Sequence, residues 1–249
     1  MKIRAVFAIA SHEIRTLAAN PSMAATALVL IFFALLFTDF FYFFEWFSAP
    51  FLCQLAVCSI GGIGTVCVLA EERERGAERT MLLAGASRAS IAFGKTLACI
   101  VVSEFVALVC AFGVLRDFAI ACETALFLLF TTLPVAFVSV ALGMRLKDQP
   151  RASSWGTPIL FIGVITAAMK TILDISPWAL PTGAAPELID RFVFGNMAPT
   201  VSPTITCVVG IVYCLLALGV LIQSVRKSDS NGSTLSNKQL NPSSKSTSS

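Results

Sequence analysis

The chain has 249 residues, of which 56% are hydrophobic and 13% are charged, and its net charge is +3. Roughly 25% of the residues in a typical soluble domain are charged, and the mean hydropathy of +0.82 leaves too little polar surface to cover a soluble globule. The composition therefore excludes a water-soluble domain and indicates an all-α membrane protein with several spans. The small net charge gives no reason to expect a nucleic-acid partner.

The first predicted element is an amphipathic helix over residues 2–19. Apolar residues from Ile3 to Leu17 recur at the i, i+3, i+4 spacing of one helix face. With a span directly after it, we expect this helix to lie in the lipid headgroup layer rather than in water. Asn20 and Pro21 end it, because Asn20 can cap a new helix and Pro21 fits the first turn of that helix.

Six apolar runs follow, each close to the ~20 residues that cross a ~30 Å hydrocarbon core. They cover approximately residues 23–44, 51–70, 94–115, 124–144, 157–173 and 201–224. The outer turn between the first two is predicted at Ala49 and Pro50. Residues 174–200 contain four Pro and two Gly, which favours short interfacial helices or a re-entrant piece. We expect one transmembrane domain over 1–227 and a disordered, Ser- and Asn-rich tail over 228–249.

Basic residues are distributed unequally between the two sides of the predicted bundle. Thirteen Lys and Arg lie in the N-terminal helix, the second-to-third loop, the fourth-to-fifth loop and the start of the tail, whereas Arg116 and Arg191 alone lie in the connections on the other side. Loops rich in Lys and Arg stay on the cytoplasmic side. The sequence therefore predicts a multi-pass protein of the cell membrane with both termini in the cytoplasm.

The densest charge lies in residues 71–95, EERERGAERTMLLAGASRASIAFGK, which hold nine charged residues between two apolar runs. Most charge runs are simply solvated, but this one also contains an apolar patch at residues 81–83. Gly76 and Gly85 are predicted helix breaks, and Ser87 is a predicted N-cap. A short helix that carries exposed Leu among charges is typical of a docking element for another protein.

This segment resembles the cytoplasmic coupling loop of type-2 ABC exporter permeases. That loop combines acidic and basic residues, Gly-Thr, a Leu pair, a Pro, and Ser-Arg ahead of a Gly-Lys that opens the third span. The matching positions are Glu72, Glu74, Arg75, Gly76, Leu82, Leu83, Ser87, Arg88, Gly94 and Lys95. Two positions depart, since Ala77 replaces the usual Thr and Gly85 the usual Pro. The start of the chain, FAIASHEIRTLAANPSMAATALVL, is similar to the family's elbow helix.

The resemblance implies the membrane subunit of an ATP-driven exporter. Such a permease pairs with a second copy or a sister permease and docks a separate ATPase, here through residues 71–93. The matching residues up to Arg88 would couple the two proteins. The chain has no GxxxxGK[ST] loop, so we expect ATP hydrolysis in the partner, with no enzyme activity, cofactor or metal in this chain. A secondary transporter and a non-transporting membrane anchor or assembly factor are the alternatives, and the cargo is not predicted.

Charge within a span is costly and marks candidates for function, and two of the charged residues within the predicted spans are such candidates. Glu104 lies about ten residues into the third run and Lys170 lies late in the fifth. Each could line a pathway or serve as a buried polar group, and a pair between them would have to overcome their different depths. His12 is the only histidine, which leaves a His-based metal site unsupported. The glycines within residues 61–64 permit close helix contact, at a dimer interface or inside the chain.

Overall fold

The structure is a computed structural model that describes residues 3–40, 45–146, 148–171, 173, 175–195 and 202–240. Every regular element in these ranges is helical, which confirms the predicted all-α class. The ten α-helices are α1 Ile3–Ala19, α2 Pro21–Phe40, α3 Glu45–Ala56, α4 Thr65–Glu74, α5 Ala77–Leu83, α6 Arg88–Leu115, α7 Phe118–Gly143, α8 Gln149–Thr171, α9 Ala184–Phe192 and α10 Pro203–Leu240. A π-helical stretch, Val57–Gly64, joins α3 to α4.

Five helical segments of the described chain are long and apolar enough to cross a membrane. They are Ala49–Glu74, Arg88–Leu115, Phe118–Gly143, Gln149–Lys170 and Pro203–Lys227. α2 becomes the sixth candidate when it is joined to α1, from which it is bent by 70°. This count of five or six agrees with the predicted membrane-spanning architecture. We call the end of the bundle that carries α5 the α5 end, and the opposite end, which carries α9, the α9 end.

The predicted turn at Ala49 and Pro50 is wrong, because both residues lie inside α3. Pro50 is the sixth residue of that helix, beyond its first turn, where proline removes a backbone hydrogen bond and its ring crowds the carbonyl four residues earlier. Residues 41–44, between α2 and α3, lie outside the described residues.

Several helices begin earlier than their apolar runs, because capping side chains extend them into polar sequence. Ser87 caps α6 as predicted, since its Oγ accepts a hydrogen bond of 3.1 Å from the Ser90 amide. Asp117 caps α7 in the same way, with 2.8 Å from its Oδ1 to the Ala119 amide. The predicted cap of α2 is also confirmed, because Asn20 Oδ1 accepts from the backbone amide of Ser22 at 3.0 Å.

The last helix extends further than the sequence predicts. α10 continues to Leu240, so residues 228–240 are helical where we expected disorder. Residues 241–249 lie outside the described residues.

α6 lies in the middle of the fold and packs against α1, α2, α3 and α7. Its approach to α1 needs Gly94, because a Cβ atom there would lie 2.8 Å from Ile9 Cγ2. The glycines of the π-helical stretch also pack inside the chain: a Cβ at Gly61 would lie 3.2 Å from Ser103, and one at Gly62 would lie 3.1 Å from Ile159. Close helix contact at these glycines therefore serves intrachain packing.

Candidate functional site

The element of the α5 end that presents the predicted docking patch is α5 itself. Gly76 before it and Gly85 after it have positive φ angles of 74° and 85°, a conformation that glycine adopts without steric cost. Both predicted helix breaks are therefore confirmed. None of the seven residues of α5 is buried, and Leu83 is 82% exposed, while Leu82 is half-buried.

α5 forms an apolar groove together with α1. The groove has a volume of about 460 Å³, and its lining residues are Ala8, Ile9, His12, Ala77, Thr80 and Met81. His12 is exposed on α1. We call this groove together with Leu83 the α1–α5 surface. A mostly apolar surface of this kind at the edge of a bundle marks a site for another molecule.

The end of α4, just before α5, is held to the neighbouring helices by polar contacts. Arg73 donates hydrogen bonds to the carbonyl oxygens of Met144 and Leu146 just after α7. Glu74 accepts one of 2.8 Å from the backbone amide of Gln149, at the start of α8. The α7–α8 connection therefore fixes where α5 leaves the bundle. Sequence reasoning named Glu74 but missed Arg73, which is one of several similar charges in the segment.

The remaining predicted coupling residues have different surroundings. Arg75 is exposed and pairs with Glu71 at 2.5 Å, one helical turn away. Arg88 is the first residue of α6 and is half-buried. Ser87 serves as a helix cap and Gly76 as a helix break, so these two residues shape the segment rather than present side chains on it.

A buried cluster of three charges lies behind α5. The ammonium group of Lys95 on α6 contacts the carboxylates of Glu13 on α1 and Glu72 on α4. The exposed fractions of the three side chains are 7% for Lys95, 2% for Glu13 and 16% for Glu72. We call these residues the Lys95 triad. Glu72, which the sequence placed among the docking residues, therefore lies inside the protein and has an internal partner.

Glu13 is the member of the triad that sequence reasoning missed. It lies on the buried stripe of α1, together with Val6, Ala10 and Leu17, a spacing that places it on the packed face of the helix. α1 lies outside the five spans. Burial raises the pKa of the Glu13 carboxyl, while Lys95 lowers it and Glu72 raises it again. Lys95 is therefore the member of the triad that favours the charged form of Glu13.

Glu104 and Lys170 are not brought together. Glu104 is half-buried in α6 and accepts a hydrogen bond from the hydroxyl of Thr132 on α7. Lys170 lies at the α9 end, where its Nζ is 2.9 Å from Asp190 Oδ2 and 3.6 Å from Glu187 Oε2. Their different depths, expected from the sequence, separate the two residues. Lys170 instead holds α9 against the end of α8.

A neutral polar network joins the turn before α9 to the centre of the bundle. The Nε2 atom of the fully buried Gln54 lies 2.6 Å from Thr166 Oγ1 and 3.2 Å from the carbonyl oxygen of Thr182. Thr131 donates to the same carbonyl at 3.1 Å. Hydropathy does not reveal this network, because each member is a single uncharged residue within an apolar run.

The fold and these contacts define an all-helical, multi-span membrane protein with an exposed helix at one end. No known protein family and no curated protein matches the chain. Within the described ranges, no group of three or more His, Cys, Asp or Glu side chains is arranged to hold a metal ion.

Proposed function

We propose that this chain is the permease subunit of an ATP-driven ABC exporter in the cell membrane. The α1–α5 surface carries the proposal, because it presents Leu83 and an apolar groove on a short helix between two glycine breaks. The sequence resemblance of the same segment to a coupling loop supports it. A separate ATPase subunit would dock on this surface, and a second copy or a sister permease would complete the translocation pathway.

The Lys95 triad suits such a subunit, because it links the docking helix to the spans. Glu72 lies two residues before the end of α4, and Lys95 lies two turns into α6. When the ATPases close on ATP, movement of α5 would be passed through these charges to α1 and α6 together. ATP binding in the partner would then shift the spans between two arrangements.

Replacing Leu83 by Asp should strongly weaken ATPase docking. A carboxylate at the centre of an apolar contact loses hydrophobic burial and leaves a charge without a partner, which costs several kcal/mol in an interface. We would purify the chain from its native membranes in mild detergent and measure both the co-purifying Walker-motif protein and its ATP hydrolysis. The variant should lose at least about tenfold of both, which corresponds to roughly 1.4 kcal/mol of binding energy.

Ser154→Asp is the matched control. Ser154 is exposed in the second turn of α8 at the same end of the bundle, and an aspartate near a helix N-terminus is tolerated. Equal ATPase recovery with Leu83→Asp and Ser154→Asp would contradict docking on the α1–α5 surface. If the wild-type chain recovers no ATPase at all, the exporter proposal itself fails.

The proposed orientation can be tested with the natural thiol of Cys122. This residue is exposed at the start of α7, at the α9 end, whereas the other seven cysteines are buried or half-buried. A membrane-impermeant maleimide added to intact cells should label the wild-type chain and not Cys122→Ser. In the Cys122→Ser background, Arg79→Cys on α5 should be labelled only after the cells are permeabilised. The reverse pattern would place α5 outside the cell and rule out docking to a cytoplasmic ATPase.

A secondary transporter is the second candidate, and Glu104 is the observation that favours it. A half-buried carboxylate that accepts a hydrogen bond from a threonine hydroxyl is the kind of group that carries protons across membranes. A membrane anchor or assembly factor would also use the α1–α5 surface. Transport that continues after ATP is depleted would favour the secondary transporter, and binding without transport would favour the anchor.

A further inference from the structure

A second apolar groove lies where α1 bends into α2. Its volume is about 460 Å³, and α1, α2, the π-helical stretch and α6 all contribute to its walls. Ile14 and Leu17 line its upper part, Met23 and Ala27 one side, and Val101 and Phe105 the other. We call it the elbow groove. It is separate from the α1–α5 surface, because the two grooves share no lining residue.

The elbow groove exists because of the bend between the first two helices. α1 and α2 meet at 70°, and the capping contact from Asn20 to the Ser22 amide fixes the corner. The α2 wall of the groove is shallow, because Ala24 and Ala27 have small side chains. On the other wall, Phe105 is 65% exposed, so the groove opens sideways rather than into the protein.

The groove extends from the edge of the hydrocarbon layer toward its middle, because its α6 wall reaches Phe105, the neighbour of Glu104 in the third apolar run. It begins beside Asn20 and Pro21, where α2 starts its apolar run, and continues past Met23 to Ala27, about one helical turn further on. The amphipathic α1 lies across its upper end. A molecule in this groove would therefore have its apolar part along α2 and α6 and its polar part at the level of α1.

We infer that the elbow groove binds one acyl chain of a membrane phospholipid whose anionic headgroup lies beside Arg15. Arg15 is exposed on α1. It follows Ile14 directly and lies one turn before Ala18, and both of these neighbours line the groove. An exposed guanidinium at headgroup depth attracts anionic lipid. The apolar walls and the single cation thus match the two parts of one phospholipid.

The size of the groove favours an acyl chain over a helix of a second copy. A helix with its side chains is roughly 10–12 Å wide, so a single turn would already occupy a volume of this order. A flexible chain can instead follow the groove from Ile14 down to Phe105. Because such a chain is already in hydrocarbon, its preference for the groove comes from van der Waals contact with the walls and from the headgroup, not from transfer out of water.

The test is lipid retention by the purified full chain, measured by native mass spectrometry. The probes are phosphatidylglycerol and phosphatidylcholine with identical acyl chains, added at equal concentration. We expect one phosphatidylglycerol to remain on each chain and to be preferred over phosphatidylcholine. Ala27→Phe fills the groove and should reduce retention of both lipids on the order of tenfold, since the aromatic ring occupies the space of the acyl chain.

Ala25→Phe is the matched control, because Ala25 is exposed on α2 and does not line the groove. Phe105→Ala removes one wall without adding bulk and should also weaken retention, which separates loss of the site from overpacking. Arg15→Gln should remove the preference for phosphatidylglycerol while acyl-chain binding continues. Arg4→Gln, the same charge change near the start of α1 and away from the groove, should leave the preference intact.

Equal lipid retention in Ala27→Phe and Ala25→Phe would overturn the inference. So would an Ala27→Phe chain that keeps its lipid but loses a dimer seen in the wild type, because a second copy would then cover the groove. An Arg15→Gln chain that still prefers phosphatidylglycerol would show that the headgroup lies elsewhere. None of these results depends on whether the chain docks an ATPase, so the inference stands or falls separately from the proposed function.

Discussion

Replacing Lys95 by Met should lower the free energy of unfolding by about 3–5 kcal/mol, the cost of removing one member of a buried ion pair. Methionine keeps the length and most of the apolar body of the lysine, so packing changes little. The carboxylates of Glu13 and Glu72, however, lose the ammonium that both contact. Two negative charges would then face each other in a largely buried space. Denaturant unfolding of the purified protein, followed by circular dichroism, measures the effect.

Two further variants separate charge from packing. Arg151→Met removes an exposed cation that pairs with Asp148 at 3.1 Å, and this change should cost less than about 1 kcal/mol. Adding Glu13→Gln and Glu72→Gln to Lys95→Met removes the uncompensated charges and should recover much of the lost stability. If Lys95→Met costs no more than Arg151→Met, the Lys95 triad does not hold the α5 end together.

Replacing Gly183 by Ala should cost about 3 kcal/mol, at the upper end for overpacking a site. Gly183 closes the turn before α9, where its amide donates to the Leu180 carbonyl at 3.0 Å and the Leu180 amide donates to the Pro177 carbonyl at 2.8 Å. A Cβ at Gly183 would overlap the Pro177 carbonyl oxygen and lie 2.6 Å from its carbon. This obstacle is backbone next to a proline ring, so it cannot rotate away as a side chain would.

The strain should appear locally as well as in global stability. Amide hydrogen exchange should become faster in α9, because the turn also carries Thr182 and its contacts to Gln54 and Thr166. Gly219→Ala is the control, since a Cβ there meets no atom within 4 Å and alanine in a helix interior is favoured over glycine by roughly 0.5–1 kcal/mol. Similar effects of the two substitutions would mean that the turn is looser than described.

Much of the fold could be predicted because its signals are local. Hydropathy found the spans, since a bilayer requires apolar runs of a set length. Asn20 and Ser87 were recognised as caps because their side chains bond amides two or three residues away. The turn predicted at Pro50 was wrong, because proline is common in turns but here lies within α3. The early start of α7 was missed, because its cap at Asp117 lies outside the apolar run.

The candidate site was predictable only in its exposed part. Leu83 was identified from an apolar patch among charges, and the structure exposes it. Glu72 was assigned to the same surface because the sequence does not show which of several acidic residues turns inward. Its pairing with Lys95 spans 23 residues, and the pairing of Glu13 with Lys95 spans 82. Contacts at such separations depend on how helices cross, which a single sequence does not reveal.

The π-helical stretch Val57–Gly64 sets the direction in which the rest of its span faces. A residue added to or removed from an α-helix rotates everything beyond it by roughly a quarter of a turn, and a π-type widening takes up an extra residue within the helix. Were residues 57–64 wound as ordinary α-helix, α4 would emerge with its carboxylates pointing elsewhere. The direction in which Glu72 leaves the helix, toward Lys95, is therefore set some eight residues earlier in the chain, inside the apolar layer. The contact between Glu72 and Lys95 at one end of the molecule therefore depends on how the backbone is wound in its middle.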